Sequence, residues 1–282
     1  MFRKSPSQVE HRVTRVKRGS RLEEEDVLAA EEPLEIRLIW DEGGQALRKS
    51  IAVTMRTPGS DFELAAGFLY GEGILSNRED VADVSYCMDE DEEQAFNIVT
   101  VTLRPGLEFD IARLERNFYT TSSCGICGKA ALESLEVQGC QVLPDGFRVA
   151  ADVVCGLPEA LRSAQAVFRK TGGLHASGLF DREGTLLALQ EDVGRHNALD
   201  KLIGGQFLAG KLPLEDRVVM LSGRASFELL QKALVARISV VAAVGAPSSL
   251  AAELAEAYNI TLAGFVRADG FNVYAAPQRI DN

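Results

Sequence analysis

The chain has too little of several features that would assign its class directly. Five cysteines in 282 residues are too few for a disulfide scaffold, and an odd number leaves a free thiol. No apolar run approaches the roughly 20 residues of a membrane-spanning helix, and no apolar segment resembling a signal peptide opens the sequence. These absences predict a soluble cytoplasmic protein with reduced thiols and no membrane partner.

The chain also lacks an excess of positive charge. Its formal net charge is −11, which argues against binding nucleic acid through the phosphate backbone. Hydrophobic residues make up 46% and charged residues 25%, the ordinary globular balance. Basic residues are concentrated at the N-terminus, where we expect residues 1–21 to form a disordered, solvated arm.

Periodicity along the chain predicts two structured parts. Residues 22–107 contain strand-like runs around a helix that begins near Asp61, which indicates a small α+β subdomain. Residues 108–282 contain helices, a hairpin near residues 176–190, and then strands that alternate with helices. This alternation predicts an α/β core with a mainly parallel sheet covered on both faces. One helix is expected over residues 157–170, with Pro158 in its first turn.

Four loops of the second part are rich in glycine, small hydroxyls and arginine. They span residues 190–197, 222–224, 245–249 and 267–270. Each follows a predicted strand, and ligands of α/β sheets bind beyond the carboxyl ends of the strands. The composition suits an anionic ligand held by backbone N–H groups and helix N-termini. Ordinary turns also use these residues, so both interpretations stay open.

The segment TTSSCGICGK at residues 120–129 carries Cys124 and Cys127 in a C-x-x-C spacing. A structural zinc site needs four ligands and this pair supplies two, so we expect no structural zinc and no other metal site. Zinc deaminases combine H-x-E with P-C-x-x-C. Here His175 is followed by Ala176 and Ser177, and the cysteine pair lacks the proline. Deaminase chemistry is therefore excluded.

Two roles remain for the cysteine pair: a thioredoxin-like redox couple and a covalent sulfur carrier. A helix predicted to begin near Lys129 directs its positive end toward the loop, and Lys129 adds a cation. Both effects lower the pKa of a nearby thiol. A nucleophilic thiolate on a mobile loop suits a persulfide carrier, but the residues alone do not separate the two roles.

Longer blocks of the sequence point to a family. They are FELAAGFLYGEGIL, TSSCGICGK, TGGLHASGLF, EDVGRHNALDKLIG, SGRASFELLQKA and GAPSSLAAELA. These blocks resemble the FdhD family, the sulfur carriers required for formate dehydrogenase activity, from about residue 30 to the end. The resemblance implies a three-layer core similar to the cytidine deaminase fold, a homodimer, and two partners: a cysteine desulfurase and formate dehydrogenase.

The resemblance also implies roles for individual residues. Cys124 corresponds to the persulfide carrier, and Cys127 to an assisting thiol. The client is a molybdenum or tungsten bis-pterin guanine dinucleotide cofactor, for which GDP is a mimic. The rival function is a chaperone that delivers this cofactor without moving sulfur.

Further residues are expected at the cofactor site. The family's cofactor-contacting segment corresponds to Phe265, Val266, Arg267, Ala268, Asp269 and Gly270. Family members often have glycine directly after the arginine, where this chain has Ala268 and Asp269. Arg224 is a candidate phosphate contact, and His175 either contacts the cofactor, moves a proton or is structural. An internal network near the site is expected from Glu191, Asp192, Arg195 and His196.

Cys124 is predicted to be the most reactive thiol of the chain, because the nearby helix start and Lys129 favour its thiolate. Limiting alkylation at neutral pH, followed by peptide mapping, should label Cys124 first. Earlier labelling of Cys87, Cys140 or Cys155 would contradict the activated loop.

Overall fold

A computed structural model describes residues 6–87, 95–107 and 139–282 of the chain. The cysteine loop with Cys124 and Cys127 and the helix predicted to begin near Lys129 lie outside the described residues. The described residues contain two sheets of four and six strands and two smaller two-stranded sheets.

The N-terminus differs from the expected disordered arm. Strands β1 (Gln8–Lys17) and β2 (Ser20–Ala29) pair antiparallel along their whole length. Val9, Val13 and Val16 are distributed among the polar residues of β1, and β-branched residues favour strands. The expectation considered only the charge of this segment. It is wrong for residues 8–21, and the expected boundary at residue 21 falls inside β2.

The four-stranded sheet has the order β4–β3–β6–β5. Its strands are β3 (Glu32–Glu42), β4 (Gln45–Arg56), β5 (Val81–Tyr86) and β6 (Ile98–Leu103). Alternate residues of β3, Leu34, Ile36 and Leu38, are fully buried. Helix α1 (Asp61–Gly71) covers this apolar face through Leu64 and Leu69.

The six-stranded sheet has the order β13–β12–β11–β10–β8–β9. A short parallel pair, β7 (Val149–Ala150) and β14 (Ile280–Asp281), forms a separate small sheet. The six strands are β8 (His175–Phe180), β9 (Leu186–Asp192), β10 (Val218–Leu221), β11 (Val240–Ala243), β12 (Thr261–Arg267) and β13 (Gly270–Ala275).

The expectation of a mainly parallel sheet is wrong. Among the described strands, β10 and β12 run parallel to β11, whereas β8–β10, β8–β9 and β12–β13 are antiparallel pairs. Short turns join β8 to β9 and β12 to β13, and a short turn can only reverse the chain. Helical crossovers join the central parallel strands, so the sheet is mixed.

Helices cover both faces of this sheet. On one face lie α4 (Arg195–Leu208), α5 (Phe227–Val235) and α6 (Ser249–Ala257), packed against Val219 and Leu221. On the other face α2 (Ala151–Ala164) packs against Val218 and Met220. A short helix α3 (Phe168–Thr171) follows α2. The core therefore has three layers, and its central strands read as continuous apolar runs because both faces are buried.

Helix α2 begins six residues before the expected start at residue 157, and Pro158 lies in its interior. An interior proline loses a helical hydrogen bond. The apolar stripe of Val154, Leu157 and Leu161, each at most 1% exposed, packs against the sheet. This burial outweighs the local cost of the proline, which is why the expected helix over residues 157–170 is misplaced.

Helices α1 and α4 cross at two glycines and thereby join the two larger sheets. A Cβ atom on Gly204 would lie 1.9 Å from the backbone oxygen of Glu63, and one on Gly67 would lie 1.9 Å from that of Asp200. Backbone atoms occupy both positions, so neither helix tolerates a side chain at the crossing.

Gly204→Ala should destabilise the protein by about 3 kcal/mol, since the new methyl group overlaps backbone that cannot move aside. The control is Gly205→Ala in the same helix, where the nearest atom to the new Cβ is 3.7 Å away and helix propensity favours alanine by about 1 kcal/mol. Thermal unfolding should show a Tm lowered by roughly 6–12 °C for the first variant and an unchanged or higher Tm for the second. Equal melting of the two variants would contradict the close crossing.

Candidate functional site

The predicted loops meet at one edge of the six-stranded sheet. Strands β9, β10, β11 and β12 end there. Strand β8 is antiparallel to β9 and β10 and begins there at His175. Backbone hydrogen bonds tie neighbouring loops together, from Ser222 to Ala176 (3.0 Å), from Gly245 to Gly223 (2.9 Å) and from Phe265 to Gly245 (3.1 Å). The loops therefore lie side by side at this edge of the sheet, which is called the rim below.

A cavity of about 690 Å³ opens between this rim and helix α2. Of the predicted site residues, His175, Val266, Arg267 and Ala268 line it. The remaining wall comes from helices α2 and α3 and from nearby loops: Cys155, Pro158, Glu159, Leu161, Arg162, Gln165, Phe168, Gly172, Gly173, Leu174, Val193, Ser222 and Val244. The volume is in the range of small-molecule and cofactor sites.

Other predicted residues lie beside the cavity. Arg224 packs its backbone and Cγ against Gly245, where an added Cβ would approach them to 3.0 Å, and it is not among the lining residues. Phe265 is 45% exposed, with a positive φ of 55° at an irregularity in the β12–β13 pairing. Gly270 opens β13, and Asp269 is close enough to Cys155 for its charge to act on the thiol.

His175 is half-buried in the cavity wall, next to Gly223. Burial lowers the pKa of its imidazole, and the charges of Arg195 and His196 lower it further, against an opposing effect of Asp192. The ring is therefore neutral at neutral pH, and it offers one hydrogen-bond donor and one acceptor. It suits a neutral polar group of a ligand better than a phosphate.

Arg267 is held by the rim itself. Its Nη1 donates to the carbonyl oxygens of Val244 (2.8 Å) and Val266 (2.7 Å). These bonds fix the guanidinium at the cavity, where its positive charge is available for an anionic ligand.

Asp192 is the centre of a buried network behind the rim. One carboxylate oxygen accepts from the Lys201 ammonium (2.7 Å) and the Thr57 backbone N–H (3.1 Å). The other accepts from the Gly194 N–H (2.8 Å) and the Asn197 side-chain amide (3.1 Å). Lys201 also donates to the Thr57 carbonyl (2.8 Å). The network fixes the end of β9 to the segment after β4.

The other residues of the expected network have different partners. Glu191 accepts from the backbone N–H groups of Val167 (3.0 Å) and Phe168 (2.8 Å) at the start of α3. His196 Nε2 contacts both Glu228 (3.0 Å) and Ser226 (3.3 Å). The hydrogen bond from His196 is the main reason that the pKa of Glu228 falls to about 2. Because acid and hydroxyl share one ring nitrogen, these three do not form a nucleophilic triad.

The sequence does not indicate that α2 contributes to the cavity. Gln165 is 4% exposed, and the structure gives its side-chain nitrogen no hydrogen-bond partner. Cys155 lines the same cavity. The apolar spacing of Val154, Leu157 and Leu161 predicts which face of the helix is buried, but only the fold shows that the end of this helix faces a cavity.

Two absences concern only the part of the chain that the structure describes. There, no group of three or more histidine, cysteine, aspartate or glutamate side chains is arranged to hold a metal ion. Nor does that part contain a helix both long and apolar enough to cross a membrane.

The fold and the cavity define an α/β protein with a ligand-sized site at the edge of a mixed sheet. Within that class the chain belongs to the FdhD/NarQ family, whose sequence profile matches residues 29–281.

Named relatives match nearly the whole chain. The sulfur carrier protein FdhD of Mycolicibacterium paratuberculosis is 51% identical, covering 95% of this chain and 97% of that protein. The sulfur carrier protein FdhD of Sulfolobus acidocaldarius is 41% identical, covering 96% and 97%. The crystal structure of a putative formate dehydrogenase accessory protein from Desulfotalea psychrophila superposes with a TM-score of 0.74 at 24% identity, covering 98% of this chain and 100% of that one. This structural match shows the shared fold.

The reactivity of the Cys155 thiol reports on the charges near the cavity. Burial raises its pKa, and the carboxylates of Asp152 and Asp269 raise it further. Asp269→Asn removes one of these charges, so the pKa falls and more thiolate is present at a fixed pH below it. We expect faster alkylation of Cys155 in this variant than in the parent at pH 8, measured by peptide mass spectrometry.

Asp216→Asn, at the opposite edge of the sheet before β10, is the matched control and should leave the rate unchanged. An unchanged rate in Asp269→Asn would place Asp269 away from Cys155.

Proposed function

We propose that this chain is a sulfur carrier for the maturation of formate dehydrogenase. Cys124 accepts sulfur from a cysteine desulfurase and passes it to a molybdenum bis-pterin guanine dinucleotide cofactor before the cofactor enters the dehydrogenase. The observation that carries the proposal is the match, over about 95% of the chain, to relatives named sulfur carrier protein FdhD, together with the C-x-x-C pair.

The loading step is a thiol exchange. The Cys124 thiolate attacks the terminal sulfur of the desulfurase persulfide, and a new S–S bond forms as the desulfurase S–S bond breaks. The desulfurase cysteine leaves as a thiolate, and Cys124 carries the sulfur as a persulfide. No external oxidant or reductant is consumed.

Release as sulfide requires two electrons, which Cys127 can supply. Its thiolate attacks the inner sulfur of the Cys124 persulfide, so that hydrosulfide leaves and a Cys124–Cys127 disulfide forms. A cellular dithiol then reduces this disulfide. This sequence gives both cysteines of the motif a role.

The cavity is where the chain would hold the guanine end of the cofactor. Three features support this assignment: the unpartnered side-chain nitrogen of Gln165, the neutral His175 and the charge of Arg267 at the mouth. The adjoining helices α5 and α6 have Ser226 and Ser248 of the same rim as their N-cap residues, and helix N-termini favour phosphate. The chain contributes binding and orientation, and the cofactor contributes the metal that receives the sulfur.

Intact mass spectrometry after incubation with a cysteine desulfurase and cysteine tests the proposal. The parent chain should gain the mass of one sulfur atom, and the addition should be lost on treatment with a reducing thiol. Cys124→Ser should gain none, whereas Cys127→Ser should be loaded but release sulfide much more slowly.

Activation of formate dehydrogenase separates a carrier from its rivals. A carrier requires Cys124, so Cys124→Ser should leave the dehydrogenase inactive. A chaperone that only delivers the cofactor would still activate the enzyme with this variant. A purely redox role would require both cysteines yet leave the parent without added sulfur.

A further inference from the structure

The β1–β2 hairpin lies before the part of the chain that defines the family, because the family profile begins at residue 29, the last residue of β2. Most side chains of both strands are exposed. Among the described strands, β1 and β2 pair only with each other, so each has one free edge with unpaired backbone groups. A two-stranded hairpin is marginally stable in water, and a third strand added at a free edge stabilises it.

The two strands carry opposite charge. Strand β1 is mainly basic and β2 mainly acidic, with four consecutive carboxylates at Glu23–Asp26. Across the ladder Arg12 lies opposite Glu25, and Arg15 forms a salt bridge with Glu24. The hairpin itself therefore shows that β2 pairs with a basic strand.

The free edge of β2 has the same preference. Side chains stand perpendicular to a sheet, between the two neighbours of their strand, so both neighbours meet the same residues. The strand that fits the free edge of β2 is therefore basic, as β1 is. Leu22 and Leu28 are 63% and 42% exposed, and they offer apolar contact to alternate residues of the added strand.

Copies of this chain are disfavoured as the source of that strand. A second β2 would place carboxylates opposite carboxylates, which is destabilising. Strand β1 of a second copy has the right charge, but the contact would use a different surface on each copy and would not close into a dimer. It would also bring together two chains that each carry a net charge of −11. The same negative charge attracts a separate basic protein.

One end of the β2 edge lies at the cavity. Helix α3 packs beside β2, and a Cβ atom on Gly173 would lie 3.7 Å from the Ala29 side chain. Phe168 of α3 and Gly173 both line the cavity. A chain added along β2 therefore has one of its ends at the cavity wall.

We propose that the free edge of β2 is the docking site of a partner protein, which adds a basic extended segment to the hairpin as its third strand. Backbone hydrogen bonds of strand addition hold the segment, and the carboxylates of β2 select its charge. The body of the partner is thereby placed beside the cavity, and the hairpin becomes part of a three-stranded sheet.

A labelled peptide with the sequence of β1, residues 8–17, tests the edge by fluorescence anisotropy. The chain's own β1 keeps its place, because a tethered strand has an effective concentration of roughly millimolar and the peptide is used at micromolar concentration. The parent should bind the peptide saturably and more weakly at high salt. The same peptide methylated at two adjacent backbone nitrogens keeps its charges but blocks both of its edges, and it should not bind.

Variants locate the contact on β2. Glu23→Gln/Glu25→Gln removes two carboxylates from one face of the strand and should weaken binding roughly fivefold, as the loss of two cross-strand ion pairs predicts. The matched control, Glu253→Gln/Glu256→Gln, removes two exposed carboxylates from helix α6 and should bind as the parent does. Arg12→Gln removes the residue opposite Glu25 within the hairpin and should not weaken binding. Thermal melting and far-UV circular dichroism show whether each variant is folded.

Three results would overturn the docking site: no saturable binding by the parent, equal binding of the methylated peptide, or equal weakening in the α6 control. Sedimentation of the chain without peptide then separates the two sources of the strand. Concentration-dependent association that the peptide reverses would assign the edge to a second copy and contradict a separate partner. A distribution that the peptide leaves unchanged supports the partner protein.

Discussion

The buried ion pair between Asp192 and Lys201 is the interaction on which the arrangement of the site depends. Both side chains are at most 1% exposed, and their charged atoms are 2.7 Å apart. Removing one partner of such a pair typically costs about 3–5 kcal/mol, because the other charge stays buried without compensation. Here both partners also bind the backbone of Thr57, so the pair joins the segment after the four-stranded sheet to the end of β9 in the six-stranded sheet.

The cavity is built outward from this pair. Asp192 lies opposite His175 across the β8–β9 ladder, so the position of β9 sets that of the imidazole. Gly194 and Asn197, bound to the other carboxylate oxygen, fix the start of α4. The glycine crossing of α4 with α1 then holds the first sheet against the core. The buried polar network and the close glycine crossing therefore both hold the elements that form the rim.

Much of this arrangement follows from sequence, and the failures have physical causes. The runs around Val218–Leu221 and Phe227–Val235 are apolar and periodic, and they identify their elements well. The hairpin predicted near residues 176–190 corresponds to β8 and β9. Strand direction is otherwise not encoded in such patterns, so the antiparallel pairings of β8 with β10 and of β12 with β13 were missed. The site loops are recognisable from their glycines and hydroxyls. Gln165 is not recognisable in this way, because only the fold shows that its side chain is buried and that its nitrogen has no partner.

The exposed β1–β2 hairpin affects how readily molecules of the protein associate in solution. Within the described residues it is a two-stranded sheet with unpaired edges, and Val16 and Leu22 are 66% and 63% exposed. Unpaired edges invite strand addition from neighbouring molecules, and charged side chains oppose it. The charged side chains of β1 are mainly basic and those of β2 mainly acidic, and the whole chain has an isoelectric point near 4.9. Lowering the pH toward this isoelectric point removes the net repulsion between molecules, so concentrated solutions should be least stable against association near pH 4.9.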